Sequence, residues 1–230
     1  MIVIISGGIG SGKSLTAVRY AARKSLKNEV IANFTLKKVK YTKLKYGDVI
    51  EVTKDEKGRD VKKVNWDYWK QHKNSDVLLD EAHGIKGLSS RSSMSKSNQL
   101  FSEWFAQVRK IFGNTGDQNY IKTMQKLNNN AFQKYFDAFM DKSNNFLVVT
   151  QKPRKIEINL RELSHIFINC EKIKVNDENL IINNCFFGSG TYDAIEAAEM
   201  GQKPKRFIFR AEPYYKMYDS YELINFDAET

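Results

Sequence analysis

The chain has 230 residues, 41% apolar and 12% aromatic, which excludes a disordered polar chain and suits one α/β domain with insertions. Its 37 basic residues outnumber 27 acidic ones, and the net charge of +10 points to an anionic partner, most simply nucleic acid. Two cysteines without a C-x-x-C pair, and three scattered histidines, argue against a structural zinc site and suit a reducing compartment. No apolar run approaches the ~20 residues that span a bilayer, so a soluble protein is expected.

Residues 1–5, Met-Ile-Val-Ile-Ile, are an apolar β-branched run that predicts a buried parallel strand. Gly7, Gly8, Ile9, Gly10, Ser11, Gly12, Lys13 and Ser14 follow and match G-x-x-x-x-G-K-[ST]. Residues 15–23, from Leu15 onward, predict a helix. Strand, glycine-rich loop and helix in this order make a phosphate cradle. The glycines let backbone N–H groups curl around a β-phosphate without Cβ clashes, and the helix N-terminus adds partial positive charge. Gly7 to Leu15 are therefore expected to bind ATP. Lys13 would reach the β- and γ-phosphates, and the Ser14 hydroxyl would ligate Mg²⁺.

Residues 29–34 predict a second strand, and 36–64 an insertion. Within it, 49–53 and 60–64 predict a β-hairpin around a polar, Gly58-containing turn. Residues 76–80 predict the next core strand, which ends in the carboxylates Asp80 and Glu81. An apolar strand closed by two acids is the Walker B pattern. Asp80 would hold the Mg²⁺ shell and Glu81 would deprotonate the attacking water. Some sixty-five residues separate loop and Walker B, enough for one intervening strand in the sheet. The letters Asp80-Glu81-Ala82-His83 also spell a helicase box. The other signatures of that class are not visible, and two tandem motor folds do not fit in 230 residues.

Residues 87–98 are Ser-rich with isolated cations and predict a loop. Leu100, Phe101, Trp104, Phe105, Val108, Ile111 and Phe112 then recur at helical spacing, as core residues rather than a base-stacking platform. Residues 113–119 predict a turn, 120–142 one long helix and 146–151 a strand. Gln151, at that strand's end, could sense a γ-phosphate or hold the water. Strands follow at 165–169, near 172–187 and at 206–210. Arg109 is the first candidate for an arginine that stabilises transition-state charge from a neighbouring subunit, followed by Arg161, Arg154 and Arg91. Arg91 and Lys96, with Lys37, Lys38, Lys40, Lys43 and Lys45, are candidates for contacts to DNA phosphates.

On these residues the chain resembles the Zot-like P-loop ATPases, which include the assembly ATPases of filamentous phages. It is also similar to the wider FtsK–HerA group that contains viral genome-packaging ATPases. The segment Trp104 to Arg109 is similar to the family's arginine-bearing helix, Val148 to Gln151 to its fourth strand with the sensor glutamine, Leu160-Arg161 to its next element, and Tyr215 to Glu222 to its Tyr-containing tail. The chain departs from the filamentous-phage pattern in lacking a transmembrane helix and in an extra segment at 114–142. The resemblance thus implies a three-layer α/β P-loop NTPase with a mainly parallel sheet and a β-hairpin insertion, one domain over 1–230 with an extension from about 172. It implies an ATP- and Mg²⁺-dependent DNA-translocating motor for virus assembly, most simply genome packaging. Its partners would be DNA without sequence preference, further copies of the chain in a ring, and virion or membrane assembly proteins. It would act in the host cytoplasm or on the virion. A filamentous-phage-type extrusion ATPase, a nucleotide-dependent scaffold that never grips DNA, and a nucleotide or small-molecule kinase are the alternatives. Glu81 beside Asp80 favours hydrolysis over the kinase.

Overall fold

In the computed structural model of the chain, the described residues are 1–85, 88–89, 96–111, 118–156, 158–187, 197 and 199–219; the side chains of Arg109 and Gln118 also lie outside the description. The elements run β1 (Ile2–Ser6), α1 (Lys13–Lys24), β2 (Glu29–Ala32), β3 (Thr42–Lys43), α2 (Tyr46–Val49), β4 (Ile50–Lys54), β5 (Asp60–Val64), α3 (Trp66–Gln71), β6 (Ser75–Leu79), α4 (Lys96–Ile111), α5 (Gln118–Lys126), α6 (Asn129–Lys142), β7 (Phe146–Val149), α7 (Ile158–Glu162), β8 (Ile166–Val175), β9 (Glu178–Phe187) and β10 (Lys205–Arg210).

Among the described residues the main sheet has the order β10-β9-β8-β1-β7-β6-β2-β3. From β8 to β3 neighbouring strands are parallel, and β9 and β10 close one side antiparallel. The parallel strands are apolar runs because both sheet faces are covered. Alternate residues of β1 show this: Val3 and Ile5 face a core completed by α1, α5 and α6, while Ile2 and Ile4 face one completed by α3, α4 and α7. The architecture is a three-layer α/β P-loop fold. β7 lies between β1 and β6, so one strand does separate the glycine-rich loop from the Asp80 strand. The β4–β5 hairpin forms its own two-stranded sheet, in register from Ile50 opposite Val64 to Lys54 opposite Asp60.

Several expectations change in tertiary context. The long helix expected over 120–142 is two helices, because the Asn128 side chain accepts the Ala131 N–H at 2.9 Å and starts α6 as an N-cap. Within the insertion expected at 36–64, β3 extends the main sheet beside β2. α4 begins at Lys96, inside the stretch expected to be loop. The strand expected at 165–169 continues to Val175 and pairs with β9 through a turn in which Asn176 and Asp177 have φ of 46° and 64°. Two consecutive left-handed residues make the tight turn that matches the twist of a long hairpin. The turn expected at 113–119 lies mostly outside the described residues.

Packing fixes α1 firmly. Phe101, Trp104, Phe105 and Val108 are buried on the opposite face, with the Trp104 ring 4.9 Å from Trp69 and 5.6 Å from Phe146. On the α1 face, Lys24 is wholly buried and donates from Nζ to the Ser143 carbonyl at 2.6 Å and the Asp141 carbonyl at 3.0 Å, with Asp76 Oδ2 at 3.2 Å. The Tyr20 hydroxyl donates to Asp76, and Arg19 makes a two-pronged bond to Asp137 at 3.0 and 2.6 Å. A buried charge is tolerable only when paired and hydrogen-bonded. This network locks the helix that carries the loop to α6 and to the start of β6.

Candidate functional site

The glycine-rich loop joins β1 to α1 and lies against β8 and β9. A Cβ on Gly7 would stand 2.5 Å from the Cys170 carbonyl oxygen, and one on Gly12 would stand 2.4 Å from Ile181 Cδ1. Gly12 also has φ of 92°, a left-handed conformation that only glycine adopts cheaply. The first turn of α1 is tied to the same strands. Thr16 Oγ1 donates to Asn183 Oδ1 at 2.9 Å, and the Cys170 thiol donates to the same oxygen at 3.2 Å. Gly8, Ile9 and Gly10 are exposed at the loop's open side, leaving their backbone accessible to a ligand.

Lys13 is buried, and its ammonium donates to the Gly8 carbonyl at 2.7 Å, across the mouth of the loop. Burial lowers its pKa, while the nearby Asp80 and Glu81 charges oppose that shift. Ser14 Oγ donates to Asp80 Oδ2 at 2.6 Å, bringing together two groups 66 positions apart. The other carboxylate oxygen of Asp80 accepts the Glu81 N–H at 2.8 Å. Burial pushes the Asp80 carboxyl up to about 6, partly offset by the Ser14 and Glu81 N–H bonds.

Glu81 follows directly in the left-handed region, with φ of 51°. Its side chain is 41% exposed, whereas Asp80 is 6% exposed. The two adjacent acids thus occupy different environments, one buried against Ser14 and one open to solvent. Gln151, beyond the end of β7, donates from Nε2 to Glu81 Oε1 at 3.0 Å. Lys13, Ser14, Asp80, Glu81 and Gln151 therefore meet at the carboxyl edge of β1, β7 and β6, where ligands bind in doubly wound sheets.

Sequence reasoning missed Asn33. Its Nδ2 donates to the Asp80 carbonyl at 3.0 Å and its Oδ1 accepts the Asp80 N–H at 2.8 Å, so one buried amide clamps the Asp80 backbone on both sides. A polar residue closing an apolar strand is the only signal in the sequence, and its meaning depends on β2 lying beside β6. The tail also returns here. Tyr218 forms an antiparallel bridge with Leu36, and the Lys37 N–H donates to the Met217 carbonyl at 2.6 Å. Burial, with a contribution from the Asp80 charge, raises the Tyr218 phenol pKa.

The candidate arginines are more dispersed. Arg109 lies near the end of α4 with its side chain outside the described residues, and Arg91 lies outside them altogether. Arg161 is on α7, and Arg154 is exposed in the turn Pro153–Lys155 that follows Gln151. Among the described residues, no group of three or more His, Cys, Asp or Glu side chains could hold a metal ion. Ser14 Oγ and Asp80 Oδ2 instead offer two hard oxygen ligands side by side. That donor set fits Mg²⁺, which keeps several waters and takes substrate phosphate oxygens rather than a full protein cage.

A family model described as zonular occludens toxin (Zot) matches residues 1–175. No curated protein matches the chain significantly. Among solved structures, the N-terminal domain of zonular occludens toxin from Neisseria meningitidis is similar at a TM-score of 0.51 and 17% identity, covering 95% of this chain and 98% of that one. That likeness concerns the fold alone. The DNA-packaging ATPase B204 from Sulfolobus turreted icosahedral virus gives a TM-score of 0.44 at 16% identity over 95% and 96% of the two chains. The flagellar accessory protein FlaH from Methanocaldococcus jannaschii gives 0.40 at 10% identity over 94% and 87%. Both scores are too low to bear on this chain. The match over residues 1–175 runs from β1 to the end of β8 and takes in the loop, Asp80, Glu81 and Gln151: the chain belongs to the zonular occludens toxin (Zot) family.

Proposed function

We propose that the chain is an ATPase that couples hydrolysis to the movement of DNA during virus assembly, most simply genome packaging. One observation carries the hydrolytic part: the Ser14–Asp80 bond at 2.6 Å stands beside the Gln151–Glu81 bond at 3.0 Å, next to a buried lysine. The loop N–H groups take the β-phosphate, and Lys13 exchanges the Gly8 carbonyl for the β- and γ-phosphate oxygens. Ser14 and Asp80 would hold Mg²⁺, which when bound would neutralise charge on the phosphate oxygens. Glu81, more open than Asp80, accepts the proton of a water that attacks the γ-phosphorus, and ADP and phosphate leave. Gln151 orients that water or reports the γ-phosphate. Charge developing on the transferred group still needs a cation, which Arg109 or Arg161 of an adjacent copy in a ring would supply.

The DNA part is supported by the net charge of +10 and by exposed Lys38 and Lys40 within the lysine-rich run from Lys37 to Lys45. The test is the ATPase rate with and without DNA, measured beside oligomeric state. DNA stimulation in an assembled ring supports the motor. Robust ATPase without DNA binding in the assembled, ATP-loaded protein would leave the scaffold, and phosphoryl transfer to a small acceptor would leave the kinase.

A further inference from the structure

We infer that His83 is a positioning residue for Glu81, holding the carboxylate oxygen that Gln151 leaves open. The inference rests on Glu81 being the base of the proposed ATPase. Gln151 occupies Glu81 Oε1, and His83 Nε2 stands 3.4 Å from Glu81 Oε2, at the long end of hydrogen-bond reach, from which a catalytic contact tightens when substrate binds. The other imidazole nitrogen, Nδ1, lies 3.2 Å from Thr150 Oγ1. Thr150 is fully buried and rigidly held: its N–H donates to the Ile5 carbonyl at 2.9 Å, and its Oγ1 accepts the Lys152 N–H at 3.0 Å.

This surrounding decides the tautomer. With Lys152 donating to the Thr150 oxygen, the Thr150 hydroxyl proton is free to point at His83 Nδ1. Nδ1 then accepts, and the ring proton sits on Nε2, facing Glu81. The opposite neutral tautomer would set a nitrogen lone pair against a carboxylate, which is repulsive. Burial lowers the His83 pKa, opposed by Glu81 and reinforced by Lys152, Lys155 and Lys13, so the neutral ring is the relevant form. His83 thus aims an N–H at Glu81 Oε2 without adding a charge that would compete with the lysine at the phosphates. The chain runs from the end of β7 through Thr150 and His83 to Glu81. It places a second donor beside the base, available if Gln151 turns towards a γ-phosphate.

The experiment measures steady-state ATPase and nucleotide affinity for wild type, Glu81→Gln, His83→Phe, His83→Gln and the Glu81→Gln/His83→Phe double variant. Phenylalanine keeps the bulk and removes the donor, whereas glutamine restores a donor at similar reach. His83→Phe should lower kcat about tenfold, the scale of one missing bond to a charged group, with KM and nucleotide affinity within about twofold. His83→Gln should recover part of the rate. In the Glu81→Gln background His83→Phe should cost nothing more, because a residue acting only through Glu81 has no effect once Glu81 is disabled. Wild-type kcat in His83→Phe while Glu81→Gln stalls overturns the inference and leaves the ATPase reading standing. An equal further loss in the double variant overturns it too, by showing that His83 acts independently. Wild-type turnover in Glu81→Gln would instead remove Glu81 as the base, and the inference with it.

Discussion

Replacing Asp80 by asparagine should stabilise the nucleotide-free protein at neutral pH while disabling the proposed Mg²⁺ site. The Asp80 carboxyl has an ordinary value of 3.8 and is pushed to about 6, with burial the largest cause. The folded state therefore holds this proton more tightly than the unfolded chain does. Its contribution to stability is fully present below about pH 4 and is lost as pH rises through about 6. Each tenfold change in the ionisation constant is worth about 1.4 kcal/mol, so the displacement amounts to about 3 kcal/mol above pH 7. Asparagine removes the ionisation and keeps the local bonds. Its oxygen can still accept the Glu81 N–H, and its amide can donate to Ser14 Oγ. Asp80→Asn should thus exceed wild type by about 3 kcal/mol at pH 8, and by about half that at pH 5. For a chain of this size that is roughly 6–12 °C in Tm at pH 8. Denaturant titrations at pH 5 and pH 8, with chelator and without nucleotide, measure the gap. Mg²⁺ with nucleotide should narrow it at pH 8, because only the wild type retains the carboxylate proposed to bind the ion. A variant no more stable than wild type at pH 8, or a gap that does not change with pH, would refute the reasoning.

Lys13→Ala should lose nucleotide affinity, whereas Glu81→Gln should bind a fluorescent ATP analogue normally and turn over ~10²–10⁴-fold more slowly, since a general base acts only on the attacking water. Gly12→Ala should lower stability by about 1–3 kcal/mol in a thermal melt, because its backbone is left-handed and the new Cβ meets Ile181. Gly8→Ala, whose Cβ would meet nothing within 4 Å, should melt within about 0.5 kcal/mol of wild type. DNA affinity across a salt series should fall steeply, and Lys38→Ala/Lys40→Ala should flatten the log–log slope by about 0.7–0.9 for each phosphate that the variant no longer neutralises; an unchanged slope and affinity would place the grip elsewhere.

What the sequence by itself determined is local. The loop from Gly7 to Ser14, the strand before it and the helix after it are contiguous, so spacing alone identifies them. The same holds for Asp80 and Glu81 at the end of an apolar strand, and for the hairpin at Ile50–Lys54 and Asp60–Val64. The separation of loop and Walker B allowed for one strand between them, but which strand it is depends on Phe146–Val149 pairing with both neighbours from far along the chain. Tertiary structure decided everything that depends on that pairing. It set Gln151 against Glu81, put Asn33 around the Asp80 backbone and joined Thr150 to His83. It also placed Ile181 under Gly12, which gives this loop glycine a packing role that the motif alone does not show. Near 127–128 a single capping amide outweighed helical periodicity and split one expected helix into two. The physical reason is common to these cases. Periodicity and turn chemistry act over a few residues, whereas the partners of a buried polar group are chosen by strand order, which no local window contains.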